Sequence, residues 1–450
     1  MNQKQNKMKK TLLLALFTGF SLSAQEAASD MKYRRSSLSM FLIESENFPN
    51  KDAVMSSWGN YPFPDKYNKH NADTKSVNLD AIKLTDSELL AAGFLKDTLK
   101  NPLQLLKASV KPVRYLNNEQ TLAVVLPSED EEYQLKINKI ISERKLANGL
   151  VSTWFNLSPD GKINFNLIAE RGSYNASDLE VQVADGQERG SAAIRDAGKE
   201  LINNTFVTFT KLNFVENEPI ARSIRDIAKA EVAKQLAGKP QFLMDKAMQG
   251  LDKVYEKTKE GYSLWSKTWL YQLEWNDTIF TRLSNDYKTM KGDAFKNADY
   301  LKLKFVNFQK NMSLVTFKLG ETRSQEQIID LALVRNVDNA FAKLQKENDV
   351  FKPKVPVLTT KPVTAQIGMK EGLEGGEKFE VLEFGVDDKT GLTVYKKVGT
   401  VKVDKKQVWD NRYNAGQKPE KEQLDKEGNP VSATLFKGKV PFGALLKQVK

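Results

Sequence analysis

Three prolines within ten residues divide this sequence into two parts with different patterns. Pro353, Pro356 and Pro362 interrupt any helix or central strand, because proline lacks the backbone N–H that both structures use. Before residue 350, apolar residues recur at both helical and strand spacing; after it, strand spacing dominates. We therefore predict a domain boundary near residue 350, followed by an all-β module.

The last hundred residues have the pattern of strongly bent strands. Strands are predicted at residues 379–384 and 393–403. Within the second strand, Val394 and Val398 are even-numbered, whereas Val401 and Val403 are odd-numbered. A one-residue slip at the intervening Gly399 predicts a β-bulge. Bulged strands suit a small barrel, so we predict a C-terminal small β-barrel.

Residues 121–210 alternate between strand and helix patterns. Strands are predicted at residues 121–126, 151–157, 163–168 and 205–210, and helices at 130–147 and near 190–203. A Ser-Pro-Asp-Gly turn at 158–161 joins the second and third strands, since proline presets φ and glycine permits positive φ. The order β-α-β-β-α-β predicts a ferredoxin-like (split βαβ) N-terminal part in an α+β protein.

The remaining segments add helices and strands on both sides of this part. A strand is predicted at 36–45, followed by an aromatic loop whose Trp58 and Tyr61 should pack on the domain. Capping-box pairs predict two helix starts, at Thr85 with Glu88 and at Ser324 with Gln327. Residues 219–260 should be helical with a break at Gly238-Lys239-Pro240, and a β-like section should follow at 262–318.

The first 24 residues resemble a secretory signal peptide. Four lysines precede a short apolar run at 11–20, and small residues follow at 21–24. The run is shorter than the ~20 residues that span a bilayer. We therefore expect export to the periplasm or outer membrane, with 25–218 as an α+β domain, 219–349 as a helical and β middle region, and 350–450 as the barrel module.

The composition excludes most metal and nucleophile chemistry. The chain has no cysteine and one histidine, His70. A zinc site of Cys and His ligands, thiol catalysis and cysteine-ligated clusters cannot be assembled within such a chain. His70 lies in a polar stretch without a Gly-x-Ser-x-Gly motif elsewhere, so we interpret it as a loop residue. We predict no metal site, no cofactor and no catalytic residue, although carboxylate catalysis stays open.

The positive charge lies mainly at the C-terminal end. The formal net charge is +11, and residues 351–450 contain 19 Lys and Arg against 13 Asp and Glu. In an exported protein, a basic surface would meet anionic envelope polymers or lipid head groups rather than nucleic acid. The expected partners are envelope proteins or anionic envelope polymers. An ordinary solvated lysine-rich surface is the simpler interpretation.

The tetrapeptide Glu-Arg-Gly-Ser occurs twice, at 170–173 and 188–191. Ser191 could cap the helix that follows, and Arg171 and Arg189 could bind an anion near its N-terminus. Alternatively, the arginines form internal salt bridges with neighbouring acids and the repeat is a coincidence.

An aromatic stripe follows at odd-numbered positions, which a strand places on one face. It consists of Trp265, Trp269, Tyr271, Leu273 and Trp275. A buried stripe would be core, as the presence of Leu273 suggests. An exposed stripe would let the three tryptophans stack on sugar rings.

Four segments carry a resemblance to a family of uncharacterised exported proteins of Bacteroidetes. They are NLIAERGSYNAS (166–177), RGSAAIRDAGKELINNTFV (189–207), IGMKEGLEGGEKFEVLEF (367–384) and KVDKKQVWDNRY (402–413). The family has no assigned activity, so the resemblance implies no catalytic role. An α/β part followed by a glycine-entered β module is also distantly similar to envelope-assembly proteins of the curli-secretion and flagellar-T type. The curli-secretion protein is lipid-anchored through a cysteine, which this chain lacks.

The leading functional hypothesis is a non-enzymatic structural or interaction protein of the bacterial cell envelope. Its alternative is a carboxylate-dependent glycan-active enzyme or a glycan-binding protein, based on the aromatic stripe and the 57 Asp and Glu. A third hypothesis is that residues 219–260 bind a membrane surface as amphipathic helices.

Overall fold

The architecture places a mixed sheet between helices and a small barrel after it. The computed structural model describes residues 36–62, 67–68, 75–94, 114–115, 123–124, 127–164, 199–314, 324–386, 393–412, 423–425 and 428–449. The main sheet has the strand order β2-β1-β6-β7-β8, and β3 pairs with β1 beside it. These strands are β1 (Ser36–Ile43), β2 (Tyr67–Asn68), β3 (Ser76–Val77), β6 (Thr205–Glu216), β7 (Tyr262–Leu273) and β8 (Leu303–Leu314). Two further short strands, β4 (Arg114–Tyr115) and β5 (Ala123–Val124), pair with each other.

The described part of the chain contains helices before, between and after these strands. They are α1 (Lys51–Asn60), α2 (Asp86–Ala91), α3 (Glu129–Glu143), α4 (Leu146–Trp154), α5 (Asn217–Gln235), α6 (Gln241–Thr258), α7 (Asp277–Met290), α8 (Asp293–Asn297) and α9 (Gln325–Glu347). Residues 199–203 are also helical, at the end of the helix predicted near 190–203. The capping boxes predicted at Thr85 and Ser324 are confirmed at the starts of α2 and α9.

Each central strand sends alternate side chains to opposite faces of the sheet. Leu38 and Leu42 of β1 pack in one core with α9 and α1. Phe41 and Ile43 of the same strand pack in a second core with α3. The sheet is parallel at β1–β6 and antiparallel at β6–β7 and β7–β8. It therefore crosses the predicted boundary between residues 218 and 219.

The mixed α+β class is confirmed, but the ferredoxin-like arrangement is not. The strand predicted at 151–157 is wrong, because residues 151–154 belong to helix α4. Ala147, Leu150, Val151 and Trp154 are buried at helical spacing, so burial of one helical face overrides the β propensity of VSTWFNL. The Ser158–Gly161 turn is present, with Gly161 at φ +80°. Most of the strand predicted at 163–168 lies outside the described residues.

Two other predictions needed correction. The prediction of an aromatic loop is wrong at Trp58, which lies in helix α1. The Asn50 side chain caps this helix, because it accepts a hydrogen bond from the Ala53 N–H at 3.0 Å. Trp58 and Tyr61 are nevertheless buried, as predicted. The β-like section at 262–318 contains β7 and β8, but helices α7 and α8 lie between them.

A closed six-stranded barrel forms in the C-terminal module, as the strand patterns predicted, with Pro356 inside its first strand and Pro362 between its first two strands. The strand order is β10-β13-β12-β11-β14-β9. The strands are β9 (Lys354–Thr360), β10 (Val363–Ala365), β11 (Lys378–Val386), β12 (Thr393–Val403), β13 (Thr434–Lys437) and β14 (Leu445–Gln448). Val381 pairs with Gly399 and Leu382 with Lys397, which leaves Val398 as the extra residue of a bulge. The bulge predicted from the parity change is thus confirmed.

A buried polar cluster joins the barrel to α9 and α1. The Tyr61 hydroxyl donates to Asp338 Oδ1 at 2.6 Å, and Lys370 Nζ lies 3.8 Å from the same oxygen. Burial raises the pKa of the Asp338 carboxyl despite the neighbouring Lys370 ammonium. Burial also raises the pKa of Tyr61, whose hydroxyl thus stays protonated and donates. The cluster links the barrel, α9 and the end of α1, and we interpret it as a structural contact.

Two glycine- and tryptophan-containing segments, residues 367–384 and 402–413, meet at this junction. Glu371 Oε2 accepts hydrogen bonds from the Gly368 N–H at 2.8 Å and from Asn411 Nδ2 at 2.9 Å. The Met369 N–H donates to the Trp409 carbonyl at 2.9 Å. Their distinctive residues therefore hold a barrel turn in place against α9.

Candidate interaction surface

A helical hairpin interrupts the main sheet between two neighbouring strands. Glu216, the last residue of β6, is paired with Tyr262, the first residue of β7. Residues 217–261, which we call the arm, are inserted between these partners and contain α5 and α6. The sheet register would be complete without them.

The sequence specifies the arm locally. Pro219 lies in the first turn of α5, where its missing N–H costs no helical hydrogen bond. Gly238 adopts φ +79° after α5, and Pro240 immediately precedes α6. The break predicted at Gly238-Lys239-Pro240 is therefore confirmed. With 18 residues in α6, a rise of ~1.5 Å per residue gives the arm a length of about 27 Å.

Polar contacts align the two helices of the arm. The Tyr255 hydroxyl donates to Glu218 Oε1 at 2.7 Å, and the Arg225 guanidinium lies 4.3 Å from the Tyr255 ring centre. Lys229 Nζ lies 2.6 Å from Asp252 Oδ1. Exposed ion pairs of this kind contribute ~0–1 kcal/mol each, so they set the alignment of the helices more than their stability.

The arm buries little of its surface against the rest of the protein. No residue of α6 is buried, and only Asn217 and Ala221 are buried in α5. The two helices contact each other, and neither contacts another described element extensively. Amphipathic helices ordinarily bury an apolar stripe, so an arm that buries so little has a face available for a partner.

That face is aliphatic and consists of Ile220, Ile224, Ile227 and Val254, which are 40–69% exposed. Ile224 directly precedes Arg225, and Val254 directly precedes Tyr255, the two residues that touch between the helices. In an antiparallel helix pair, the positions before the contact residues point to the same side. Ile220 lies four residues before Ile224 and Ile227 three residues after it, so the three share one side of α5. We call these four residues the apolar face of the arm.

The structure separates the three tryptophans of the aromatic stripe. Trp269 is 1% exposed and lies under α3, with its ring 6.0 Å from that of Tyr133. Trp275 is buried among Phe155 and Phe280. Trp265 is 50% exposed and lies beside the equally exposed Met312 of β8. Only Trp265 could therefore stack on a ligand without rearrangement of the core.

A row of lysines separates the covered and uncovered parts of this sheet face. Lys211, Lys267 and Lys310 are in register on β6, β7 and β8. The first turn of α3 neutralises them: Glu129 lies within 2.8 Å of Lys211 and Lys267, and Asp130 within 2.7 Å of Lys267 and Lys310. Sequence reasoning missed this row, because only the strand register brings the three lysines together.

Glu129 and Asp130, which pair with this row of lysines, are unsuited to acid catalysis. Hydrogen bonds from Lys211 and Lys267 lower the pKa of Glu129. Burial alone would raise the pKa of Asp130, but hydrogen bonds from Lys267 and Lys310 lower it overall. A general acid needs a raised pKa to stay protonated near neutral pH. These groups act as counter-ions.

The other three predicted site residues, Arg171, Arg189 and Ser191, lie outside the described residues. So does His70, which we interpret as a loop residue. Within the described part of the chain, no group of three or more His, Cys, Asp or Glu is arranged to hold a metal ion. No described helix combines the length and apolar character needed to cross a membrane.

Comparison with known proteins does not assign the chain to a family. No protein-family model matches the chain. No curated protein matches it either. The functional argument therefore depends on the arm and on the exposed end of the sheet face.

Proposed function

We propose that this chain is a non-enzymatic structural or interaction protein of the bacterial cell envelope, and that the arm is its contact element. The observation that carries the proposal is the insertion of residues 217–261 between two paired strands with only Asn217 and Ala221 buried in its helices. Exposed contiguous apolar patches on folded proteins commonly mark interaction sites. The signal-like residues 1–24 support a place in the periplasm or outer membrane, where envelope proteins or anionic envelope polymers are the expected partners.

Replacing the arm with a tight turn tests this proposal. Because Glu216 and Tyr262 are directly paired, a two-residue Asn-Gly turn can join β6 to β7 in place of residues 217–261. We expect the free energy of unfolding to change by about 1 kcal/mol or less, since the arm adds little to the core. We also expect the shortened protein to lose its association with isolated envelopes.

Both readouts are needed to interpret this replacement. Urea denaturation measures the stability, and sedimentation with washed envelopes measures the association. Full association of a folded, armless protein would contradict the arm's role. Recovery of the intact chain without any envelope component, after gentle solubilisation, would contradict the interaction function itself.

A second candidate function is glycan binding at Trp265. The observation that favours it is the half-exposed indole on a sheet face two residues from Lys267. An exposed aromatic face is suited to the apolar face of a sugar ring, whereas Lys267 is already paired with Glu129 and Asp130. The lowered pKa values of Glu129 and Asp130 do not favour the glycan-active enzyme.

A further inference from the structure

The tip of the arm differs in character from its apolar face. Phe242, in the first turn of α6, is 66% exposed, and Leu243 beside it is also exposed. Both follow the Gly238-Lys239-Pro240 break, at the end of the hairpin farthest from the sheet. A large aromatic side chain therefore lies in solvent at the turn of the arm, about one helix length of 27 Å along the arm from β7.

Lysines surround this aromatic tip on all of its segments. Lys234 lies on α5, Lys239 in the connecting turn and Lys246 on α6. All three are exposed, and none lies within ion-pair distance of a carboxylate among the described residues. This contrasts with Lys229 further down the arm, which is paired with Asp252.

Two carboxylates also lie near the tip, and each keeps its charge while it accepts a hydrogen bond from a glutamine amide. Asp245 accepts a hydrogen bond from Gln241 at 2.9 Å, and Glu231 accepts one from Gln235 at 3.1 Å. None of the three lysines forms an ion pair with these acids in the described part of the chain, so residues 231–246 present three ammonium groups against two carboxylates. Long lysine stems also allow the charges to spread around an apolar centre.

We propose that the tip binds the surface of an anionic phospholipid bilayer, with Phe242 and Leu243 in the interfacial region and Lys234, Lys239 and Lys246 against lipid phosphates. This inference rests on the proposed role of the arm and names its partner. The lysines favour a lipid surface because three segments place them around one apolar end, so they can contact lipid phosphates while the apolar side chains enter the interface. Each lysine near such a surface contributes to binding, and salt screens that contribution.

Sedimentation with vesicles tests the proposal on the full chain. We expect co-sedimentation with vesicles of mixed phosphatidylglycerol and phosphatidylcholine at low salt, and much less with phosphatidylcholine alone. Phe242→Ser should lower the partition coefficient at least about tenfold, because the ring loses its burial in the interface. Replacing Lys234, Lys239 and Lys246 with Gln should lower it by about a hundredfold at low salt and remove most of the salt dependence.

Phe442 provides a matched control. It is a phenylalanine that is 72% exposed in a turn of the barrel, and it has Lys437 and Lys439 nearby. We expect Phe442→Ser to leave vesicle binding unchanged. Both phenylalanines are exposed, so both variants should keep the urea midpoint of the parent protein, which shows that loss of binding is not loss of fold.

Several results would overturn the lipid inference. Unchanged binding in Phe242→Ser, or lost binding in Phe442→Ser, would move the contact away from the tip. Absence of binding to anionic vesicles would remove the lipid partner. Self-association in solution that Phe242→Ser abolishes would assign the tip to a second copy. If armless protein still loses envelope association while vesicles are not bound, the contact role of the arm stands and the lipid partner fails.

Discussion

Trp269→Ala is expected to lower the free energy of unfolding by about 3–5 kcal/mol, the usual cost of removing a large aromatic side chain from a packed core. The Trp269 ring is 1% exposed and contacts Tyr133 of α3 and Phe308 of β8. Its loss leaves a cavity between the sheet and α3 that neither element can fill. Urea denaturation monitored by circular dichroism measures the change.

The matched control lies on the same face of the same strand. Trp265→Ala is expected to cost about 1 kcal/mol or less, because its ring is already half in solvent. Similar losses for both variants would show that the first turn of α3 does not lie where the structure places it, between Trp269 and Trp265. Since Trp265→Ala should stay folded, it also tests the second candidate function: loss of binding to envelope glycans in this variant would support that function.

Gly368→Ala is expected to destabilise the protein by about 1–3 kcal/mol through overpacking. A Cβ at this position would meet the carbonyl oxygen of Trp409 and the side-chain oxygen of Asn411 well inside van der Waals contact. Asn411 cannot move freely, because its Oδ1 accepts from the Lys370 N–H at 2.8 Å. The strain would therefore fall on the turn that docks the barrel on α9, and the urea midpoint should fall.

Gly250→Ala is the corresponding control within the arm. Nothing lies within 4 Å of a Cβ added to Gly250, and the residue is in the interior of α6. Alanine there should stabilise the helix by about 0.5–1 kcal/mol, since glycine is the poorer helix former. Equal and small effects at both glycines would contradict the close approach at Gly368.

Local signals predicted the elements that local chemistry determines. The capping boxes at Thr85 and Ser324 depend on side chains three residues apart, so the sequence contains all the information needed. The bulge beside Gly399 was predictable for the same reason, because the parity change at a glycine is a local pattern; of the valines, Val401 and Val403 face the barrel core, whereas Val398 is the exposed extra residue.

The errors have a common physical cause in tertiary packing. The segment at 151–157 has strong β formers, but its burial at helical spacing is decided by residues distant in sequence, including Phe295. Parity placed Trp265 and Trp269 on one face, but could not show that α3 covers one and leaves the other exposed. The lysine row likewise depends on the register of three strands.

The arm illustrates both sides of this limit. Its helices and its break were predictable from spacing and from Gly238-Lys239-Pro240. The sequence alone could not show that both helices would lack a covering element, since amphipathic helices are usually buried on one face. That observation came from the fold, and the functional proposal depends on it.

Site-specific photocrosslinking in intact cells tests most directly whether the arm is the contact element. A photoreactive phenylalanine at Ile227, on the apolar face, should give a defined adduct with an envelope component. The same probe at Met290, which is also exposed but lies at the end of α7, should give none. Adducts from position 290 with none from position 227 would contradict the account.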